Sequence, residues 1–311
     1  MPDERRGLLY GVAAYTMWGL FPLYWPLLEP SAPVEILAHR MVWALAAVLG
    51  ILAVRRHWGW MGTLARQPRI LGLLALAALI ISVNWGVYIY AVNTGHVVES
   101  ALGYFINPLV SVLFGVVLLR ERLRRWQWVA VGLGTVAVVV LTVDYGRPPW
   151  IALVLAFSFG TYGLVKKTAN VGAAEGLAVE SLVLLLPAAG YLVFLESAGS
   201  GTFGEAGAVH AGLLVLSGVV TAVPLLCFSA AAVRVPLTVV GLLQYIAPVL
   251  QFLCGVLVVR ETMPASRWAG FAIVWVALAV FTWDSLRTAR RARQERERER
   301  EPLAQAVRAT T

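Results

Sequence analysis

Of the chain's 311 residues, 59% are hydrophobic and 14% charged, and the mean hydropathy is +0.76. A soluble domain carries about 25% charged residues, so this composition excludes an ordinary water-soluble protein and makes the bilayer the solvent. The net charge of +8 would suit nucleic acid if it were clustered in a folded domain, and its placement, given below, excludes that reading.

A membrane-crossing helix needs ~20 mostly apolar residues. Ten segments qualify: 7–28, 33–54, 69–92, 97–119, 126–143, 149–166, 175–195, 211–233, 237–259 and 267–286. The predicted fold class is all-α integral membrane, with ten transmembrane helices, short connections and no inserted soluble domain. The leading MPDERR precedes an apolar run longer than a signal peptide core, with no clear cleavage site, so it predicts a first span.

Span two reads PVEILAHRMVW. Glu35 and His39 are one helical turn apart, as are His39 and Trp43, and Arg40 follows directly. Charged side chains inside a membrane are costly and face an interior or a cavity. Arg40 lies about 10 Å along the helix from the membrane surface. It either snorkels to that surface or meets an acid or a substrate carboxylate in a cavity. His39 is either a satisfied core residue or a partner in that cavity with Glu35.

Span three places Asn84 and Tyr88 on one face. Span four places Tyr104, Asn107 and Ser111 on one face, and their counterparts in span nine are Gln244, Ala247 and Gln251. Polar faces on both fourth spans are what a central cavity requires, with polar helix–helix contacts as the alternative. Tyr245 joins Gln244 as a wall residue, and Trp18 and Trp43 offer aromatic faces. Glu180 in span seven is a candidate proton carrier or partner for Arg40. Glu99 opens span four, where a negative charge suits a helix N-terminus. Cys227 and Cys254 read as small core residues.

An internal repeat underlies this pattern. Residues 102–144 set without gaps against 242–284 give 14 identities in 43 positions, among them Pro108, Gly115, Arg120, Glu121, Trp128 and Asp144. Each copy holds five spans, at 1–145 and 146–286, followed by a charged tail at 287–311. Five is odd, so the second copy enters the membrane from the opposite side, an arrangement common in secondary transporters. Pro108 and Pro248 sit within the fourth span of each copy. Each removes a helix hydrogen bond, freeing the carbonyls of Tyr104 and Gln244, and each is a candidate hinge or a plain packing kink. Arg120-Glu121 and Arg260-Glu261 read as span-end anchors and inter-helix pairs. Asp144 and Asp284 close spans on opposite sides.

With a cytoplasmic N-terminus, 21 of the 25 Lys and Arg residues fall inside and three outside, with Arg40 within a span. This split is the positive-inside signature and predicts cytoplasmic termini. The tail RRARQERERERE reads as a solvated extension or a contact with anionic lipid. The motifs HExxH, GxSxG and Walker A are absent, so neither an enzyme nor an ATP-driven pump is expected.

The stretches AAYTMWGLFPLYW, VEILAHRMVWA, NWGVYIYAVN, ESALGYFINPLVSVLFGVVLLRERLRRWQWVAV, LVLAFSFGTYGLVKK, TAVPLLCFSAAA, LLQYIAPVLQFL and FAIVWVALAVF resemble the drug/metabolite transporter superfamily with two EamA-type five-helix domains, and more narrowly its RarD subgroup. The resemblance implies a bacterial-type inner-membrane carrier with alternating access, exporting or exchanging small, amino-acid-like or amphipathic metabolites. It implies transport without ATP. No ATPase subunit, no cofactor and no nucleic-acid partner is expected. Since both halves share one chain, a monomer is expected to suffice. A passive uniporter or a non-transporting receptor is the rival expectation.

Overall fold

The computed structural model describes residues 2–54, 56, 58–119 and 123–309. The Arg120-Glu121 anchor therefore lies outside the described residues. Among the described residues the chain is helical throughout: α1 (Pro2–Gly19), two 3-10 turns (Phe21–Leu23 and Trp25–Leu28), α2 (Pro33–Val54), α3 (Gly59–Ala65), α4 (Pro68–Asn93), α5 (Val97–Leu119), α6 (Arg125–Tyr145), α7 (Trp150–Ala169), α8 (Ala173–Ser197), α9 (Ala208–Ala232), α10 (Leu237–Leu243), α11 (Ile246–Leu253), a π-helical turn (Cys254–Val258) and α12 (Ala265–Ala309). Eight segments are long and apolar enough to cross a membrane: α2, α4, α5, α6, α8, α9, Val239–Val258 and the first part of α12, Ala265–Thr288. Helices α1 and α7, of 18 and 20 residues, pack within the same bundle.

Large apolar side chains such as Leu186, Val209 and Val143 stand open at 81%, 82% and 78%. Side chains this apolar face hydrocarbon rather than water. The interior holds Phe105, Phe252 and Phe271 where α5, α11 and α12 meet, and Trp25, Ile36, Tyr88 and Leu155 around the 3-10 turns.

Two spans differ from expectation. The first does not run as one helix to residue 28, because α1 stops at Gly19 and two 3-10 turns follow. Pro22 and Pro26 head those turns. Proline gives no N–H to a continuing helix and restricts the residue before it. Trp25 and Leu28 are fully buried, so the broken end folds back as core.

The ninth span is also interrupted. Regular α-helical hydrogen bonding lapses at Gln244 and Tyr245, between α10 and α11, where the Tyr245 N–H turns to the Leu242 carbonyl three residues back while both residues keep right-handed helical dihedrals. Pro248 is thereby placed in the first turn of α11, where a missing N–H costs nothing. By contrast, α5 runs unbroken through Pro108. The two prolines occupy matching positions in the sequence but different local structures. The last helix continues through the charged tail to Ala309.

The helix pairing follows a rule. Helices α6 and α12 pack most extensively on each other, α2 packs on α8, and α5 packs on α11. Helix α7 lies on α4 and α5, and α1 lies on α9 and α11. Helix α2 packs as extensively on α9 as on α8, and α8 packs less extensively on α4. The α6–α12 pair is antiparallel and clamped at both ends. Arg124 before α6 bonds Asp284 at 2.7 Å, and Asp144 near the end of α6 accepts from Arg267 at 2.9 Å and from Ser266.

Close approach depends on glycine at two crossings. A Cβ on Gly218 of α9 would lie 2.2 Å from the Trp43 carbonyl carbon of α2, and one on Gly103 of α5 would lie 2.7 Å from the Ala152 carbonyl oxygen of α7.

Candidate substrate-binding site

Helix α2 presents its polar residues in two directions. Glu35, in its first turn, is buried and accepts from the Thr202 N–H at 2.7 Å and the Thr202 hydroxyl at 2.9 Å. The same hydroxyl reaches Ser31 at 2.5 Å and His210 at 3.2 Å. Glu35 therefore fastens the 198–207 loop to α2. His39 stacks on Phe203 of that loop at 4.9 Å and 19°, and Trp43 stacks on the same ring at 6.2 Å and 22°. The three rings border an open groove of about 510 Å³, flanked by Val42, Leu192 and Val193.

Arg40 turns the other way, because successive positions on a helix are about 100° apart. Its Nε donates to Thr221 Oγ1 of α9 at 2.8 Å. Trp85 covers the guanidinium at 3.8 Å, with Trp25 at 5.0 Å and Phe21 at 5.7 Å. Its Nη1 is buried and has no hydrogen-bond partner among the described residues. Among the described residues, the titratable groups acting on it are Tyr104, Tyr88 and Tyr24, and no carboxylate is among them.

Helices α4 and α5 supply the adjoining wall. Asn84 donates to the Leu155 carbonyl at 3.0 Å and the Ser158 hydroxyl at 2.9 Å, and accepts from Tyr104 at 3.2 Å. The Tyr88 ring meets Tyr104 edge-on at 5.7 Å. The Tyr88 hydroxyl and Asn107 Oδ1 are buried without partners among the described residues.

The structure thus brings Arg40, Tyr88, Tyr104 and Asn84 together, with Asn107 one turn along α5. It places His39 and Trp43 at the groove and Glu35 at the loop. Glu180 does not reach Arg40. It pairs with Lys166 at 2.7 Å and Tyr162 at 3.1 Å, which corrects the expectation of an Arg40 partner. Gln244 sits half-buried at the break before α11. Tyr245 packs on the α5–α12 core. Gln251 donates to the Trp18 carbonyl at 3.2 Å.

Sequence reasoning missed Thr221, Trp25, Trp85 and Phe21. Trp85 could have been found, since it lies three residues before Tyr88 and such pairs are helix-surface neighbours. Thr221 could not, because its role depends on the register of α9 against α2.

At the end of the bundle carrying Arg147, carboxylates cap helices other than their own. Glu99 in α5 accepts from the Ile151 N–H of α7 at 3.1 Å and from Arg147 at 2.9 Å, instead of capping α5 as expected. Glu261 supplies that cap, accepting from the Val98 N–H at 3.1 Å. Burial raises the Glu261 carboxyl from 4.5 to about 7, with Glu99 adding to the rise and the Val98 and Val97 amides and Arg267 opposing it. The folded value lies above the unfolded one, so the folded chain holds the proton more tightly. The stability this gives is full below about pH 4.5 and is lost as pH rises through 7. Glu261→Gln is expected to flatten that slope by about 1–2 kcal/mol between pH 5 and 8. Thermal unfolding of detergent-solubilised protein across that range checks it, and an unchanged slope refutes it.

The helix count, the outward apolar surface and the buried polar cluster define a helical membrane protein. The EamA-like transporter family matches residues 5–143. The chain is 64% identical to Protein RarD of Streptomyces exfoliatus over 94% of this chain and 92% of that one. It is 44% identical to the uncharacterized transporter YojE of Bacillus subtilis over 92% and 96% of the two chains. A solved crystal structure of 20% identity superposes with a TM-score of 0.59, covering 89% of this chain and 97% of that one, and so shares the fold. The chain belongs to the EamA-like transporter family, on its RarD branch, and is a multi-pass membrane transporter.

Proposed function

We propose that the chain is a secondary-active carrier that exports or exchanges small metabolites by alternating access, without ATP. In this reading α1 and α7 complete ten crossings, residues 1–145 and 146–286 form two inverted five-helix repeats, and both termini are cytoplasmic. The observation that carries it is the pairing scheme. Exchanging the first five crossings with the second five turns each principal contact into another principal contact: α1 on α9 becomes α7 on α4, and α2, α5 and α6 keep α8, α11 and α12 as partners. The clamps at Asp144 and Asp284 obey the same exchange. Two such halves can rock about a shared centre and open it to either side in turn. The centre is the Arg40 cluster, where a donor of the first half meets Thr221 of the second. Pro108 and the Gln244–Pro248 break give α5 and α11 places to bend.

Counterflow in proteoliposomes tests this reading. Vesicles loaded with unlabelled amino acids and small aromatic metabolites are diluted into labelled ones, with and without a pH gradient. A carrier gives saturable uptake accelerated by internal substrate, whereas a channel gives flux without such acceleration. Arg40→Ala is expected to lower the flux on the order of 10²-fold, the effect of truncating a buried charged contact. Undiminished flux in that variant would leave the carrier standing but remove the site from α2.

A further inference from the structure

We infer that the substrate is a small anion, a carboxylate on an aromatic or apolar body, bound through the in-plane N–H edge of Arg40. The inference rests on the carrier reading and deepens it. Rings cover the guanidinium, closest at Trp85, 3.8 Å from its centroid. The face under Trp85 is closed to a ligand, and the in-plane edge carries the N–H donors. Thr221 occupies the Nε edge at 2.8 Å, and the Nη1 edge has no acceptor.

A guanidinium buried to 2% exposure with no counter-ion among the described residues is costly in a membrane interior. Aromatic faces offset part of that cost but accept no hydrogen bond from the edge. Trp25 Nε1 and the Tyr88 hydroxyl are two further buried groups without partners, and both residues belong to the same packed cluster. Three unanswered donors, one of them on the cation itself, call for a ligand with several acceptor oxygens and a negative charge. A carboxylate matches the planar fork of arginine in two parallel bonds. A neutral or cationic ligand would leave the charge uncompensated. The surrounding Trp85, Trp25 and Phe21 suit an apolar or aromatic remainder. Export of such an anion would be assisted by an inside-negative potential, about tenfold in concentration ratio for each 59 mV.

Acid and amide pairs of one shape separate charge from fit. Phenylacetate with phenylacetamide, and indole-3-acetate with indole-3-acetamide, are titrated against the full chain in nanodiscs, following tryptophan fluorescence. The acid is expected to bind at least tenfold more tightly than its amide, and Arg40→Gln to abolish the difference. Arg40→Lys, which keeps the charge but not the planar fork, is expected to retain part of it, and it decides the matter if Arg40→Gln does not fold. Equal affinities, tighter binding of the amides, binding of phenethylamine in their place, or binding of none of the pairs would overturn the inference. Saturable counterflow of an amide alone would sink the anion while leaving the carrier. Acid binding without any counterflow would do the reverse.

Discussion

Gly218→Ala is expected to destabilise the folded protein by about 3 kcal/mol or more, at or beyond the upper end of overpacking costs. The added methyl would sit 2.2 Å from the Trp43 carbonyl carbon and 2.3 Å from its oxygen. Neither atom can rotate away, since both belong to the α2 backbone. The two helices must separate or slide. Thr221 lies three residues further along α9, so the same shift draws its hydroxyl from Arg40 Nε, and substrate binding should weaken with stability. Gly212, also in α9, has open space where its Cβ would be. Gly212→Ala is expected to be neutral or to stabilise by up to about 1 kcal/mol through helix propensity. Thermal unfolding of both variants in one detergent makes the comparison, and equal losses would show that the close crossing does not govern stability.

That crossing also explains what the sequence could and could not say. Hydropathy located the membrane segments because the bilayer demands length and apolarity whatever the neighbours. The same rule misjudged residues 20–28. Their apolar side chains fit a span, yet Pro22 and Pro26 break the helix, and Phe21, Trp25 and Leu28 turn into the core, the first two beside Arg40, while Leu20, Leu23 and Leu27 stay exposed. Arg40 stood out because a charge in a span is costly wherever it faces. Its surroundings did not, since Thr221, Trp85 and Phe21 reach it only through the packing of α9, α4 and the 3-10 turns on α2. The neighbours Glu35, His39 and Arg40 looked like one cluster in the sequence, but their helical angles send two of them to the 198–207 loop. Glu99 was expected at a helix N-terminus, and it is at one, although the helix it caps is α7.

Glu180→Ala is expected to cost about 3–5 kcal/mol, while the double variant Lys166→Met with Glu180→Leu should fall near the wild-type stability. Both groups are shielded, with side-chain exposures of 19% for Lys166 and 3% for Glu180. The ammonium is tucked against α8, where a Cβ on Gly176 would lie 2.1 Å from it. Removing only the carboxylate strands that ammonium, and an uncompensated buried charge carries most of the cost of breaking such a pair. Removing both charges and filling their volume with apolar side chains leaves nothing stranded but the Tyr162 hydroxyl, which loses one bond of about 1 kcal/mol. The pair of variants also separates structure from coupling. A carboxylate that carries protons during transport must be able to lose its cation and bind a proton in its place. The double variant would then fold and exchange substrate, yet ignore a pH gradient. If Glu180 only ties α7 to α8, the same variant would respond to the gradient as the wild type does, and the proton would have to travel by another group.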